Sequence, residues 1–120
     1  MSASFVVIMI LYSAGMACGQ VLFKLAATRA SVPGAGLMPG VLPGAVNAYL
    51  AAGLVLYAGL TLMWVWILRS VPLSKAYPFV ALSFIFTPLL ARMVFGEPLN
   101  ASYGAGLLLI ACGIVVIARA

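Results

Sequence analysis

Residues 48–68 read AYLAAGLVLYAGLTLMWVWIL, an uncharged run that stops at Arg69. At 1.5 Å of rise per residue, a helix over that run is about 30 Å long, the thickness of the hydrocarbon core of a bilayer. In water it would need protein on every side. A chain of 120 residues that is 67% hydrophobic and 6% charged lacks the polar surface to provide that cover, since soluble chains carry about 25% charged residues. Stretches of the same character occupy residues 3–27, 77–95 and 101–118. The expected fold is therefore an all-α membrane protein, a four-transmembrane-helix bundle forming one domain over residues 1–120.

The connections follow from the residues that break helices. Residues 28–47 contain Pro33, Pro39 and Pro43 with Gly34, Gly36, Gly40 and Gly44, which rule out a continuous helix and predict the longest loop. The first stretch lacks the Lys or Arg that leads a signal peptide, so it reads as a retained span. Trp64 and Trp66 suit an interfacial aromatic belt. A short turn, Arg69 to Ala76, leads to a third span that starts near Tyr77, with Pro78 in its first turn. Pro88 lies inside that span and predicts a kink, with the Phe84 carbonyl left for protein or water to satisfy. Gly96 to Asn100 form the last turn.

The net charge of +5 comes from six Lys and Arg against a single acid, Glu97, and there is no His. The basic residues stand singly near the ends of apolar stretches, as snorkelling anchors do, so nucleic acid is not an expected partner. Arg69, Lys75 and Arg119 on one side balance Lys24, Arg29 and Arg92 on the other, so the positive-inside rule sets no orientation. One carboxylate without an imidazole leaves no general acid and base pair and no metal-ligand set. No enzyme activity, catalytic residue, metal or cofactor is expected. Cys18 and Cys112 lie in apolar stretches and read as small hydrophobes.

The polar residues inside or beside spans are the candidates for function. Ser13, Gln20 and Lys24 are spaced by seven and four, which places them on one helical face. An amide inside a span is costly without a partner, so either this face lines a polar groove, or Gln20 bonds a neighbouring helix while Lys24 snorkels outward. Lys24 and Arg92 each lie about one turn before the end of their helix, toward the same membrane face. Together they could neutralise a lipid phosphate or act as separate anchors. Glu97, just beyond, is placed to pair with either cation, and Tyr77 belongs to the aromatic belt or to the site. Gly15 and Gly19 form a GxxxG suited to close helix approach. Gly106 and Gly113, two turns apart on one face, read as a helix-pairing surface across a dimer axis or as packing within one subunit.

The Val71-Pro72-Leu73 turn with Ala76-Tyr77-Pro78, the Phe95-Gly96-Glu97-Pro98-Leu99 turn, and the stretch Gly106 to Ile114 resemble the drug/metabolite transporter superfamily over nearly the whole chain. The implied fold is small multidrug resistance-like. Resemblance to the small multidrug exporters themselves would imply a membrane-embedded glutamate in the first helix, and with Lys24 aligned Met16 stands at that position. Ala17-Cys18-Gly19-Gln20 with Lys24, Tyr77-Pro78 and Glu97-Pro98 look closer to the ArnE and ArnF type of flippase subunit. That resemblance implies movement of undecaprenyl-phosphate aminoarabinose across the bacterial inner membrane for lipid A modification, by a homodimer or a heterodimer with a similar subunit. Lys24, Arg92, Gln20, Glu97 and Tyr77 are then the expected head-group residues, with the polyprenyl tail left in the bilayer. The chain offers no nucleotide-binding loop and no acid within a span, so passive equilibration along a lipid gradient is the expected energetics. A multidrug-type exporter of cationic compounds and an accessory subunit of a membrane glycosyltransferase are the alternatives.

Overall fold

A computed structural model describes residues 3–30 and 48–120, the side chains of Arg29 and Ala30 excepted. The prolines and glycines of the first connection, Pro33 to Gly44, lie outside the described residues, as does the Arg29 side chain. The described chain is helical: α1 (Ala3–Ala30), α2 (Ala48–Leu68), α3 (Leu73–Val80), α4 (Ser83–Phe95) and α5 (Ala101–Arg119). α3 and α4 together make one crossing, so four segments are long and apolar enough to span a membrane: Ala3–Thr28, Ala48–Leu68, Leu73–Phe95 and Ala101–Arg119. The protein is an all-α, four-helix membrane bundle.

α1 is the most enclosed span and packs against α2, α3 and α4, whereas α5 lies at the edge against α3 and α4. Lipid is as apolar as Leu, so helices in a membrane associate through close packing and hydrogen bonds rather than through the hydrophobic effect. α1 and α2 meet by exchanging an aromatic ring for a glycine in each direction. The Tyr57 ring of α2 lies on Gly19 of α1, and the Phe23 ring of α1 lies on Gly53 of α2. A side chain at either glycine would occupy the space of the ring. The two rings also stack on each other, with centroids 5.2 Å apart. Toward the other end of the bundle, Met9, Tyr12, Leu60, Ile67, Ala76, Phe79 and Ile114 form the buried core. Tyr12 stacks on Trp64 at 5.3 Å, so Trp64 packs inward while Trp66 stays exposed.

The third span differs from its sequence-based reading. It starts at Leu73 rather than near Tyr77, which puts Pro78 inside α3, and α4 runs unbroken through a buried Pro88. The discontinuity lies earlier, at Ala81 and Leu82, and hydroxyl groups account for it. Ser13 of α1, fully buried, donates to the Phe79 carbonyl at 2.9 Å, and Ser83 donates to the Val80 carbonyl at 2.8 Å. The Phe79 carbonyl also accepts the Leu82 amide, and with the Val80 carbonyl taken by Ser83 the Phe84 amide bonds three residues back to Ala81, each at 3.0 Å. Side-chain hydroxyls that take helix carbonyls bend helices in this way. Removing the Ser13 hydroxyl with Ser13→Ala is expected to destabilise the fold by about 1 kcal/mol, the scale of an interhelical hydrogen bond in a membrane. Equilibrium unfolding in mixed micelles checks this value.

Candidate functional site

Two adjoining cavities lie between α1 and the broken span. The larger, about 420 Å³, is bounded by Gln20, Tyr57, Tyr77, Ser83, Thr87 and Tyr103 together with apolar residues that include Met16 and Pro88. The smaller, about 200 Å³, is bounded by Gln20, Lys24, Thr87, Ala91, Phe95 and Glu97. Gln20 and Thr87 line both, so a cavity bearing Lys24 and Glu97 adjoins one whose polar residues are mostly neutral hydroxyls.

Local structure positions each of these groups. Gln20 sits one residue beyond Gly19, which the Tyr57 ring covers, and donates its amide to the Tyr57 hydroxyl at 2.7 Å. Tyr57 in turn donates to the Met16 carbonyl at 3.1 Å. The two readings of the Ser13, Gln20 and Lys24 stripe therefore divide by residue. Ser13 is a buried helix-to-helix bond, whereas Gln20 bonds its neighbour and also lines the cavities. Thr87, Ala91 and Phe95 recur every four residues and present one row of α4 to the smaller cavity.

At the smaller cavity, α4 ends in a left-handed Gly96 (φ 66°), a conformation that costs glycine little and other residues more. The Gly96 amide bonds the Arg92 carbonyl at 3.0 Å and the Glu97 amide reaches the Ala91 carbonyl at 3.5 Å, the reversal that commonly ends a helix. Asn100 then caps α5 by accepting from the Tyr103 amide at 2.8 Å. This reversal carries Glu97 back to Lys24, with Nζ and Oε1 3.4 Å apart. The Lys24 ammonium also stands 5.9 Å from the centre of the Phe95 ring, within the range of a cation–π contact.

Of the residues expected at a head-group site, Gln20, Lys24 and Glu97 share the smaller cavity, and Gln20 and Tyr77 line the larger. Arg92 does not join them. It is exposed and lines neither cavity, because it lies one residue, and so about 100° of helical rotation, off the row formed by Thr87, Ala91 and Phe95. Lys24 faces Glu97 instead of a second cation. Tyr57, Ser83, Thr87 and Tyr103 are polar lining residues that sequence reading missed. Tyr57 carried a signal, a phenol near the middle of an uncharged run rather than at its end. The glycines separate by role: Gly15 lies against the Leu60 side chain and Gly19 against Tyr57, both within the chain, whereas Gly106 and Gly113 face open space.

A third cavity, about 290 Å³, runs between α4 and α5 along Phe84, Tyr103, Gly106, Leu107 and Ile110. It shares Phe84 and Tyr103 with the larger cavity, so an apolar groove on the edge of the bundle adjoins that cavity.

These features define a small multi-pass membrane protein with a polar chamber, a charged mouth and an adjoining apolar groove. Comparison with known proteins identifies its family. Over 75 residues the chain is 43% identical to the probable 4-amino-4-deoxy-L-arabinose-phosphoundecaprenol flippase subunit ArnE of Enterobacter sp. (strain 638), covering 62% of this chain and 70% of that protein. The ArnE of Sodalis glossinidius is 42% identical over 67 residues, 56% of this chain and 60% of that protein. That of Pseudomonas aeruginosa (strain UCBPP-PA14) is 44% identical over 72 residues, 60% of this chain and 58% of that protein. The chain belongs to the ArnE family of flippase subunits. No family model matches it, and no solved structure does.

Proposed function

We propose that the chain is a flippase subunit that carries the head group of a polyprenyl-phosphate-linked amino sugar, of the 4-amino-4-deoxy-arabinose type, across the bacterial inner membrane as part of lipid A modification. The relatives' names state that substrate for them. In this chain the observation that carries the reading is the adjacency of three cavities that share lining residues: one with Lys24, one lined by Tyr, Ser and Thr residues, and an apolar groove beside α5.

The physics of the cargo fits that order. A phosphate and a sugar are expensive to place in hydrocarbon, whereas a polyprenyl tail is at home there. A chamber that opens sideways lets the tail stay in the bilayer along Phe84, Gly106 and Leu107. Lys24 supplies the phosphate's counter-charge, and Gln20, Thr87 and the tyrosine hydroxyls offer hydrogen bonds to the sugar in place of water. On α5, Gly106 and Gly113 are uncovered. A partner subunit seated on those glycines would close the chamber from the outside, in keeping with the word subunit in the relatives' names.

Retention of lipid by the purified chain in nanodiscs tests the reading. Native mass spectrometry with polyprenyl phosphate, its amino-sugar derivative and a lipophilic cation offered together is expected to show the phosphate lipids retained. Retention of the cation alone would favour an exporter, and retention of no ligand would favour an accessory subunit.

A further inference from the structure

The charged mouth holds its own anion beside its cation. Glu97 is the only acid in the chain, and it is spent on Lys24, the residue that the proposed function assigns to phosphate. The inference below rests on that reading. Both side chains are about half exposed, 51% for Lys24 and 44% for Glu97, and exposed pairs of this kind are weak. A phosphate therefore has the strength to take Lys24 away. Doing so strands Glu97 unpaired within a cavity of about 200 Å³, next to a second negative charge. A ligand that brings a phosphate alone thus meets a repulsive carboxylate. A ligand that also brings an ammonium replaces the lost partner in kind.

We infer that Glu97 is the specificity-determining residue of the site, and that it binds the amine of the sugar while Lys24 binds the phosphate. The internal ion pair of the empty protein is exchanged for two ion pairs with a zwitterionic head group. A neutral sugar, or the same sugar with its nitrogen acylated, leaves the carboxylate facing phosphate without compensation. Discrimination by an unfavourable element against the wrong ligand is a common device. The other parts of the mouth support the assignment. Gln20 and Thr87 carry no charge, and the ring of Phe95 beside Lys24 gives a cation a second favourable surface. The reversal at Gly96 holds the Glu97 backbone in place by hydrogen bonds that do not involve its side chain, so its carboxylate is free to change partners.

The test uses the full chain in nanodiscs and three lipids: polyprenyl phosphate, a 4-aminopentosyl polyprenyl phosphate, and the N-formyl form of the latter. The wild type is expected to bind the amino lipid about tenfold more tightly than the N-formyl lipid, the scale of a charge-assisted hydrogen bond. Glu97→Gln is expected to erase that ratio, mainly by tightening the N-formyl lipid and plain polyprenyl phosphate, because Lys24 is then unpaired. Glu97→Asp should restore most of the ratio, and Lys24→Ala should weaken all three lipids while keeping it. Equal binding of the amino and N-formyl lipids by the wild type, or an unchanged ratio in Glu97→Gln, would overturn the assignment of Glu97 and leave the phosphate-lipid reading standing. Failure to bind any of the three lipids would overturn both.

Discussion

Lys24→Ala is expected to lower the affinity of the chain for polyprenyl phosphate lipids by about 10-fold or more, the scale of a hydrogen bond to a charged group. The loss should be specific to binding. The Lys24–Glu97 pair is half exposed, and such pairs contribute about 0.2–1 kcal/mol to stability, so the variant should remain folded. Arg92→Ala supplies the contrast. Arg92, like Lys24, lies about one turn before the end of its helix, yet it is exposed and lines neither polar cavity, and its removal should change affinity by less than about twofold, as expected for an exposed, screened charge. Titration of both variants with the same lipid, beside a thermal unfolding curve for each, separates a lost phosphate ligand from a general loss of positive charge.

The largest structural effect is expected at Gly19. A Cβ at this position would lie within the Tyr57 ring, and the ring cannot retreat without giving up its stack on Phe23 and its bonds with Gln20 and the Met16 carbonyl. Gly19→Val should therefore force α1 and α2 apart. Overpacking of this kind costs about 1–3 kcal/mol, and the lost hydrogen bonds add to it. The fraction of monodisperse protein after graded heating in detergent should fall sharply. Gly113→Val, which meets open space, should leave that curve unchanged, and any effect it has should appear only when a partner subunit is present.

The number and placement of the spans along the chain were legible in the sequence, whereas direction around a helix was not. Apolar runs located the four spans, and the cost of an amide in hydrocarbon singled out Gln20. Distance from helix ends set Lys24 and Arg92 at a comparable position along their helices, but not whether they meet. Only the packed structure shows that Thr87, Ala91 and Phe95 turn toward the cavity and Arg92 turns away. The same limit applies to Gly15 and Gly19, whose spacing announces close approach without naming the partner, here Leu60 and Tyr57 of the same chain. The break at Ala81 and Leu82 was hidden for a different reason. A proline announces a defect locally, whereas this one depends on Ser13, 66 residues away from the carbonyl it bonds. Tyr57 and Thr87 were overlooked because residues of their kind are unremarkable singly, and become a site only when α1, α2 and α4 bring them around one space.

In the proposed function the head group enters the polar chamber while the tail remains on the lipid side. Photo-crosslinking with two probes measures this most directly, one polyprenyl-phosphate sugar carrying the reactive group on the sugar and the other carrying it on the first isoprene units. The account predicts that the sugar probe labels peptides containing Gln20, Tyr57 or Thr87, and that the tail probe labels α5 around Gly106 and Leu107. Labelling of the same outer face by both probes, with none in the chamber, would contradict it.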